Sequence, residues 1–164
     1  MKGESLVYDF GYGEVAAYKW VNADSQEGGI VAASATVADS AFIGDGASIG
    51  PGASVGGGAS IGAYASIGYR ASIGPGAVVG DMTCIGDGAS IGVGATIGGY
   101  ARIGYRAIIS PGASIGDRAV IGRGATIGEE AFIDPEATIG DGAIISDDAE
   151  IEAYARIAQE EISE

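Results

Sequence analysis

The chain has 164 residues and no histidine, so its carboxylates, tyrosines and arginines must supply whatever acid–base or ligand chemistry it performs. Without histidine, a general base would have to be a carboxylate such as Asp81 or Asp87. Asp45, Asp81 and Asp117 recur at 36-residue spacing, which raises the idea of cation ligands. Asp is also the ordinary residue of surface turns, and we read these three that way and expect no metal. Cys84 stands alone, with no His or Lys close in sequence to lower its pKa, and reads as an inert thiol. The informative feature is a duplication. Ala63-Tyr64-Ala65-Ser66-Ile67-Gly68-Tyr69-Arg70 recurs as Gly99-Tyr100-Ala101-Arg102-Ile103-Gly104-Tyr105-Arg106. Tyrosine rings stack on flat groups and arginine forks bind phosphate or carboxylate, so the pattern fits recognition of a small anionic, nucleotide-like ligand.

What positions these side chains is a period of six. Every sixth residue from Val31 to Ile157 is Ile or Val, 22 times without a slip. Ala stands two places before nearly all of them and Gly directly follows most, as in Ala47-Ser48-Ile49-Gly50-Pro51-Gly52. Six is neither the 3.6 of a helix nor the 2 of a plain strand. It predicts a strand of about four residues and a two-residue corner, stacked as a solenoid. Alternation along the strand turns Ala and Ile inward and leaves the residue between them, and the Gly, outside. Pro-Gly corners at Pro51-Gly52, Pro75-Gly76 and Pro111-Gly112 suit type II turns, whose second central residue needs a positive φ. Tyr64, Arg70, Tyr100 and Arg106 occupy that second position, where each costs about 1 kcal/mol unless the turn changes type. Gly-x-Gly patterns such as Gly44-Asp45-Gly46 follow from the period and carry no phosphate-loop meaning. Ice binding would want Thr-x-Thr ladders, and here the second outward position is Gly.

On these hexads the chain resembles the hexapeptide-repeat superfamily, over about 128 of its 164 residues. The resemblance implies an all-β, left-handed parallel β-helix of 18-residue coils with a triangular section. Its handedness is an exception to the right-handed crossover rule. Twenty-two hexads make roughly seven coils and a prism about 35 Å tall at ~4.8 Å per coil. The resemblance also implies a homotrimer with parallel prisms and sites in the clefts between subunits. It suggests acyl transfer, but the acyltransferases of the superfamily use a His base and its carbonic anhydrases a three-His metal site. Neither carries over to this chain. No hexad is interrupted by an acceptor-site loop. The run Tyr8-Asp9-Phe10-Gly11-Tyr12-Gly13 resembles leaders of hexapeptide proteins from bacteria and their viruses.

The ends depart from the period. Residues 1–29 hold five of twelve aromatics and read as a strand and turn capping the first coil. The β-helix is expected over 30–158 and an acidic tail over 159–164. Residues 129–164 contain twelve of the 22 acidic residues, and like charge at an open strand edge discourages stacking with another chain. A net charge of −14 disfavours nucleic acid polymers and anionic membranes as partners. No apolar run reaches membrane length and no basic-then-apolar leader opens the chain, so a cytoplasmic protein is expected, in the host cytoplasm if the source is viral.

Folded at 18 residues, the sequence has one distinctive side. The corner after the second face is bland, whereas every Tyr and Arg between residues 60 and 125 lies on the first face or its two bordering corners. The expectation is therefore a non-catalytic homotrimer, without cofactor, that binds or sequesters a small anion at more than one site per chain. The contacts are Tyr64, Tyr69, Arg70, Tyr100, Arg102, Tyr105 and Arg106. Two alternatives remain: a structural trimeric rod in which this side is the subunit interface and an Arg70–Asp87–Arg106 ladder holds the stack, and an acyltransferase-like protein with a degenerate or non-His site.

Overall fold

The computed structural model describes residues 1–158, so the expected tail over 159–164 lies outside the described residues. The inward spine is buried as alternation requires: Ile49, Ile67, Ile91, Ile109 and Ile127 are 0–2% exposed, and the Ala two places before each is 0–1% exposed. Burying one such Ile is worth about 1.5–3 kcal/mol before conformational entropy is subtracted. The result is an all-β, left-handed parallel β-helix of about seven coils.

Three parallel sheets form its walls, each coil contributing one strand to each. The first face stacks Ser48–Ile49, Ser66–Ile67, Cys84–Ile85, Arg102–Ile103, Val120–Ile121, Thr138–Ile139 and Arg156–Ile157. Register is locked at 18 residues, so Cys84 faces Arg102 and Arg102 faces Val120. The strands are shorter than the four residues expected: each ladder pairs only two residues. The chain turns a corner immediately beyond, and the N–H of the Gly after each Ile still donates to the next coil, as Gly50 does to Ile67 at 2.8 Å.

The corners keep their left-handed second position even without glycine. Tyr64, Arg70, Tyr100 and Arg106 have φ between 53° and 59°, so the turn does not relax to another type. Three of these four side chains lie over a glycine of the preceding coil. Arg70 packs toward Gly52, Arg106 toward Gly88 and the Tyr64 ring toward Gly46, where a Cβ would sit within 3.3 Å of those side chains. A glycine in one coil thus makes room for a large side chain in the next.

The first coil is closed by more than the single strand and turn expected. β1 (Lys2–Asp9) and β2 (Glu14–Val21) form an antiparallel hairpin, and β2 pairs antiparallel with β3 (Glu27–Ala32). β3 is also the first strand of the first face, pairing in parallel with Ser48–Ile49. The hairpin therefore extends that sheet, and Tyr18 and Trp20 cover the apolar end of the prism at 5% and 2% exposure. Asn22 closes the third face. Its side-chain amide donates to the Ile43 carbonyl and accepts from the Ile43 N–H, both at 2.9 Å, reproducing the ladder of an absent coil. Among the described residues no helix is long and apolar enough to cross a membrane.

Candidate functional site

The first face separates two columns of unusual corner residues. The leading corner carries Tyr64, Asp81-Met82, Tyr100 and Asp117-Arg118 on successive coils; the trailing corner carries Tyr69-Arg70, Asp87-Gly88, Tyr105-Arg106 and Arg123-Gly124. Because strand and corner alternate strictly, Tyr64 and Tyr100 stand at the opposite border of the sheet from Tyr69 and Tyr105. Arg102 projects from the sheet between the columns. The seven expected contact residues thus share one side of the prism, but they form two columns and a centre rather than two compact clusters.

At the trailing corner, arginines lie on tyrosines. The Arg70 guanidinium is 5.0 Å from the Tyr69 ring centroid, Arg106 is 5.0 Å from Tyr105, and Arg123, one coil on, is 5.5 Å from Tyr105. Each exposed contact of this kind is worth about 0.5–1 kcal/mol. Tyr105 is therefore held between two cations. At the leading corner Arg118 is 6.0 Å from Tyr100, and it also pairs with Glu136 at 3.5 Å. Arg70, Arg102, Arg106 and Arg123 form no ion pair among the described residues. On a chain of charge −14, that leaves a local cationic strip.

Carboxylates at the corners serve the main chain. Asp81 accepts the Ala63 N–H at 2.8 Å, Asp87 the Tyr69 N–H at 2.9 Å, and Asp117 the Gly99 N–H at 2.8 Å. Each Asp thus fastens the same corner one coil earlier, which accounts for the spacing of Asp81 and Asp117. The Arg70–Asp87–Arg106 ladder is not formed. Asp87 instead takes the Tyr69 amide and the phenol of Tyr12 from the hairpin tip, because both reach it more directly than the arginines lying on their own rings. Tyr12 also meets the Tyr69 ring, at 6.0 Å between centroids. Burial raises the Tyr12 phenol above its ordinary value, and the hydrogen bond to Asp87 adds to the effect.

Below this strap, the first face bears a groove of about 340 Å³. Its floor is glycine main chain at Gly86, Gly104 and Gly122; Cys84, Arg102 and Val120 project from it, and Arg123 and Asp141 close it at the trailing corner. Arg123 belongs both to the groove and to the Tyr105 stack. Arg123 and Tyr12 are absent from the expected contact list. Arg123 was detectable, since it occupies the register of Asp87 two coils on. Tyr12 was not, because its segment has no period to fold by.

The architecture is that of a left-handed β-helix protein with a cationic, tyrosine-rich flank. Residues 40–75 and 94–129 match the model of the bacterial transferase hexapeptide (six repeats), so these hexads carry that repeat. Among solved structures, it is similar to the acetyltransferase domain of PglB from Neisseria gonorrhoeae FA1090 in complex with acetyl coenzyme A. That likeness has 23% identity and a TM-score of 0.53, and covers 78% of this chain and 53% of that one. It is also similar to LpxA, a UDP-N-acetylglucosamine acyltransferase from Bacteroides fragilis 9343, at 22% identity and a TM-score of 0.56, covering 81% of this chain and 64% of that one. The chain therefore spans between about half and two thirds of these proteins. At such identities the likeness is one of fold. No curated protein matches the chain.

Proposed function

We propose that the protein is a non-catalytic homotrimer that binds a small anionic, nucleotide-like ligand along the Tyr/Arg flank of its first face, in the clefts between subunits. One observation carries this reading. Arg70, Arg102, Arg106 and Arg123 are lined up on a strongly acidic chain without ion-pair partners among the described residues, and three of them lie on tyrosine rings. A structural role alone would pair such cations with the abundant carboxylates. Left unpaired, they suit the phosphates of a ligand whose flat base rests on Tyr105 or Tyr69.

Acyl transfer is the second reading, favoured by the transferase family model. The chain has no histidine, and Asp81 and Asp87 each hold a corner amide through Oδ1, so a base on this flank would have to be a carboxylate that also fastens the main chain. The acetyl coenzyme A of the gonococcal domain belongs to the same ligand class, an aromatic base bearing phosphates, and serves as a probe. Calorimetry with nucleotides, acetyl coenzyme A and acidic oligosaccharides tests the proposal. Binding of one class, weakened at least tenfold by Arg102→Ala plus Arg106→Ala, is expected. Binding of none, or binding indifferent to the double substitution, overturns it. Time-dependent release of free coenzyme A with an acceptor would favour the second reading.

A further inference from the structure

The duplicated Tyr/Arg motif is not duplicated in its surroundings. Eighteen residues after Tyr69 comes Asp87; eighteen after Tyr105 comes Arg123. These are equivalent corner positions, and one carries a carboxylate where the other carries a guanidinium. Around Tyr69 and Arg70 the carboxylate accepts a phenol O–H, and that phenol is Tyr12. Around Tyr105 and Arg106 the second guanidinium faces the ring and opens onto the groove beside Arg102.

The hairpin tip is built to present Tyr12. The Asp9 carboxylate accepts the N–H groups of Gly11 at 2.7 Å and Gly13 at 3.0 Å, on either side of the tyrosine. Both glycines have left-handed φ, 94° and 97°, which lets the chain reverse within these few residues and leaves the tyrosine at the apex. Behind it, Phe10 meets Tyr8 edge-on, at 4.8 Å between centroids, and packs against the core. An ordered tip reaching from before the first coil to the corners of the third and fourth is a docked strap, not a loose end.

We infer that the two motifs have opposite functions: the Tyr69-Arg70-Asp87 corner is the docking site of the chain's own Tyr12, and the Tyr105-Arg106-Arg123 corner, with Arg102 and the groove, is the ligand site. This rests on the binding proposed above and puts one site per chain in place of the more than one expected from the duplication. The chemistry separates them. A phenol hydroxyl needs an acceptor, which Asp87 provides and Arg123 does not. A phosphate needs donors and positive charge, which Arg102, Arg106 and Arg123 provide; the carboxylate that lines the groove, Asp141, accepts the Arg123 main-chain N–H at 2.7 Å. Ligand selection at the second motif is thus set by the Asp-to-Arg difference at the corner, together with Arg102 where the first motif has Ser66.

Two measurements on the full-length protein test this. In NMR of ring-labelled tyrosine, Tyr12 should show contacts to Tyr69 that disappear in Asp87→Ala, which leaves the phenol no acceptor. Absence of those contacts in the unsubstituted protein, or their persistence in the variant, overturns the docking assignment. In calorimetry with ADP as the probe, saturation should come at one ADP per chain. Arg123→Asp, which installs the residue native to the equivalent corner, should weaken ADP at least tenfold more than Arg70→Ala does. Saturation at two per chain, or equal losses from the two substitutions, overturns the unequal roles. If ADP does not bind the unsubstituted protein at all, the ligand half of the inference falls together with the proposed nucleotide-type binding, while the NMR result alone decides the Tyr12 docking.

Discussion

Gly104 and Gly124 are four-atom-alike residues with different reasons to be glycine, and replacing each by Ala separates space from backbone conformation. A Cβ at Gly104 would lie 2.6–2.7 Å from the main chain of Gly122 and Arg123 in the next coil, closer than packed atoms tolerate. The clash is with backbone, and Gly104 also donates to Ile121 at 2.8 Å, so relief means spreading two hydrogen-bonded coils. Overpacking of this kind costs about 2–3 kcal/mol, toward the upper end of the usual range. Ser110 and Asp134 occupy the same register, so the coil can yield, and the cost stays bounded. Gly124 has φ 64° and nothing within 4 Å of its added Cβ. Alanine there pays only for the left-handed conformation, about 1 kcal/mol. Ten non-glycine residues of the prism already adopt φ of 53–64° at this corner position. The loss of unfolded-state freedom is common to both substitutions and cancels in the comparison. Gly104→Ala should therefore be the less stable by about 1–2 kcal/mol, a Tm lower by about 2–8 °C for a chain of this size. Urea unfolding followed by circular dichroism, with calorimetry for Tm, measures the difference. Equal losses, or a larger loss at Gly124, would refute the assignment of the residue after each Ile to inter-coil space.

The remaining predictions concern the cap, the strap and the assembly. Asn22→Ala removes both hydrogen bonds to the Ile43 main chain and leaves a buried N–H and C=O unpaired, so it should cost about 2–4 kcal/mol in denaturant unfolding; a loss below about 1 kcal/mol would show that water replaces the side chain. Tyr12 has its phenol raised above the ordinary 10.0, first by burial and then by Asp87. The neutral phenol is the docked form, so the stability it contributes is complete below that ordinary value and is lost as pH rises through the higher folded value. NMR should find the Tyr12–Tyr69 contact intact at about pH 9 and gone once the phenol has ionised, and a contact that outlasts ionisation would contradict this. Sedimentation equilibrium should give a homotrimer, and a monomer at all concentrations would remove the inter-subunit cleft from the proposed function. ADP binding, if it depends on the unpaired arginines, should weaken steadily with added salt, whereas affinity flat from low to physiological ionic strength would point away from them.

The spine of the molecule was legible because a strict period turns one-dimensional order directly into geometry. Once Ile and Ala must face inward, every sixth residue is placed, and Tyr69, Arg70, Tyr105 and Arg106 fall on a known border of a known face. The same regularity explains the left-handed corners, since Tyr64 and Arg106 stand where the period requires the second turn position. Three things lay beyond it. The alternative of a packed rod set the Asp87 carboxylate between arginines, but a coil's corner amide lies 2.9 Å from it and a cation stacked on its own ring does not. The hairpin's second strand and the role of Asn22 depend on which unpaired edges the first coil exposes. The approach of Tyr12 to Asp87 joins residues 75 apart through a segment with no repeat. By itself the sequence determined the prism and which side chains share its flank, because local periodicity sets both. Only the tertiary structure decided what each of those side chains touches, because a contact between an aperiodic arm and a periodic wall is fixed by packing in three dimensions and leaves no trace in spacing.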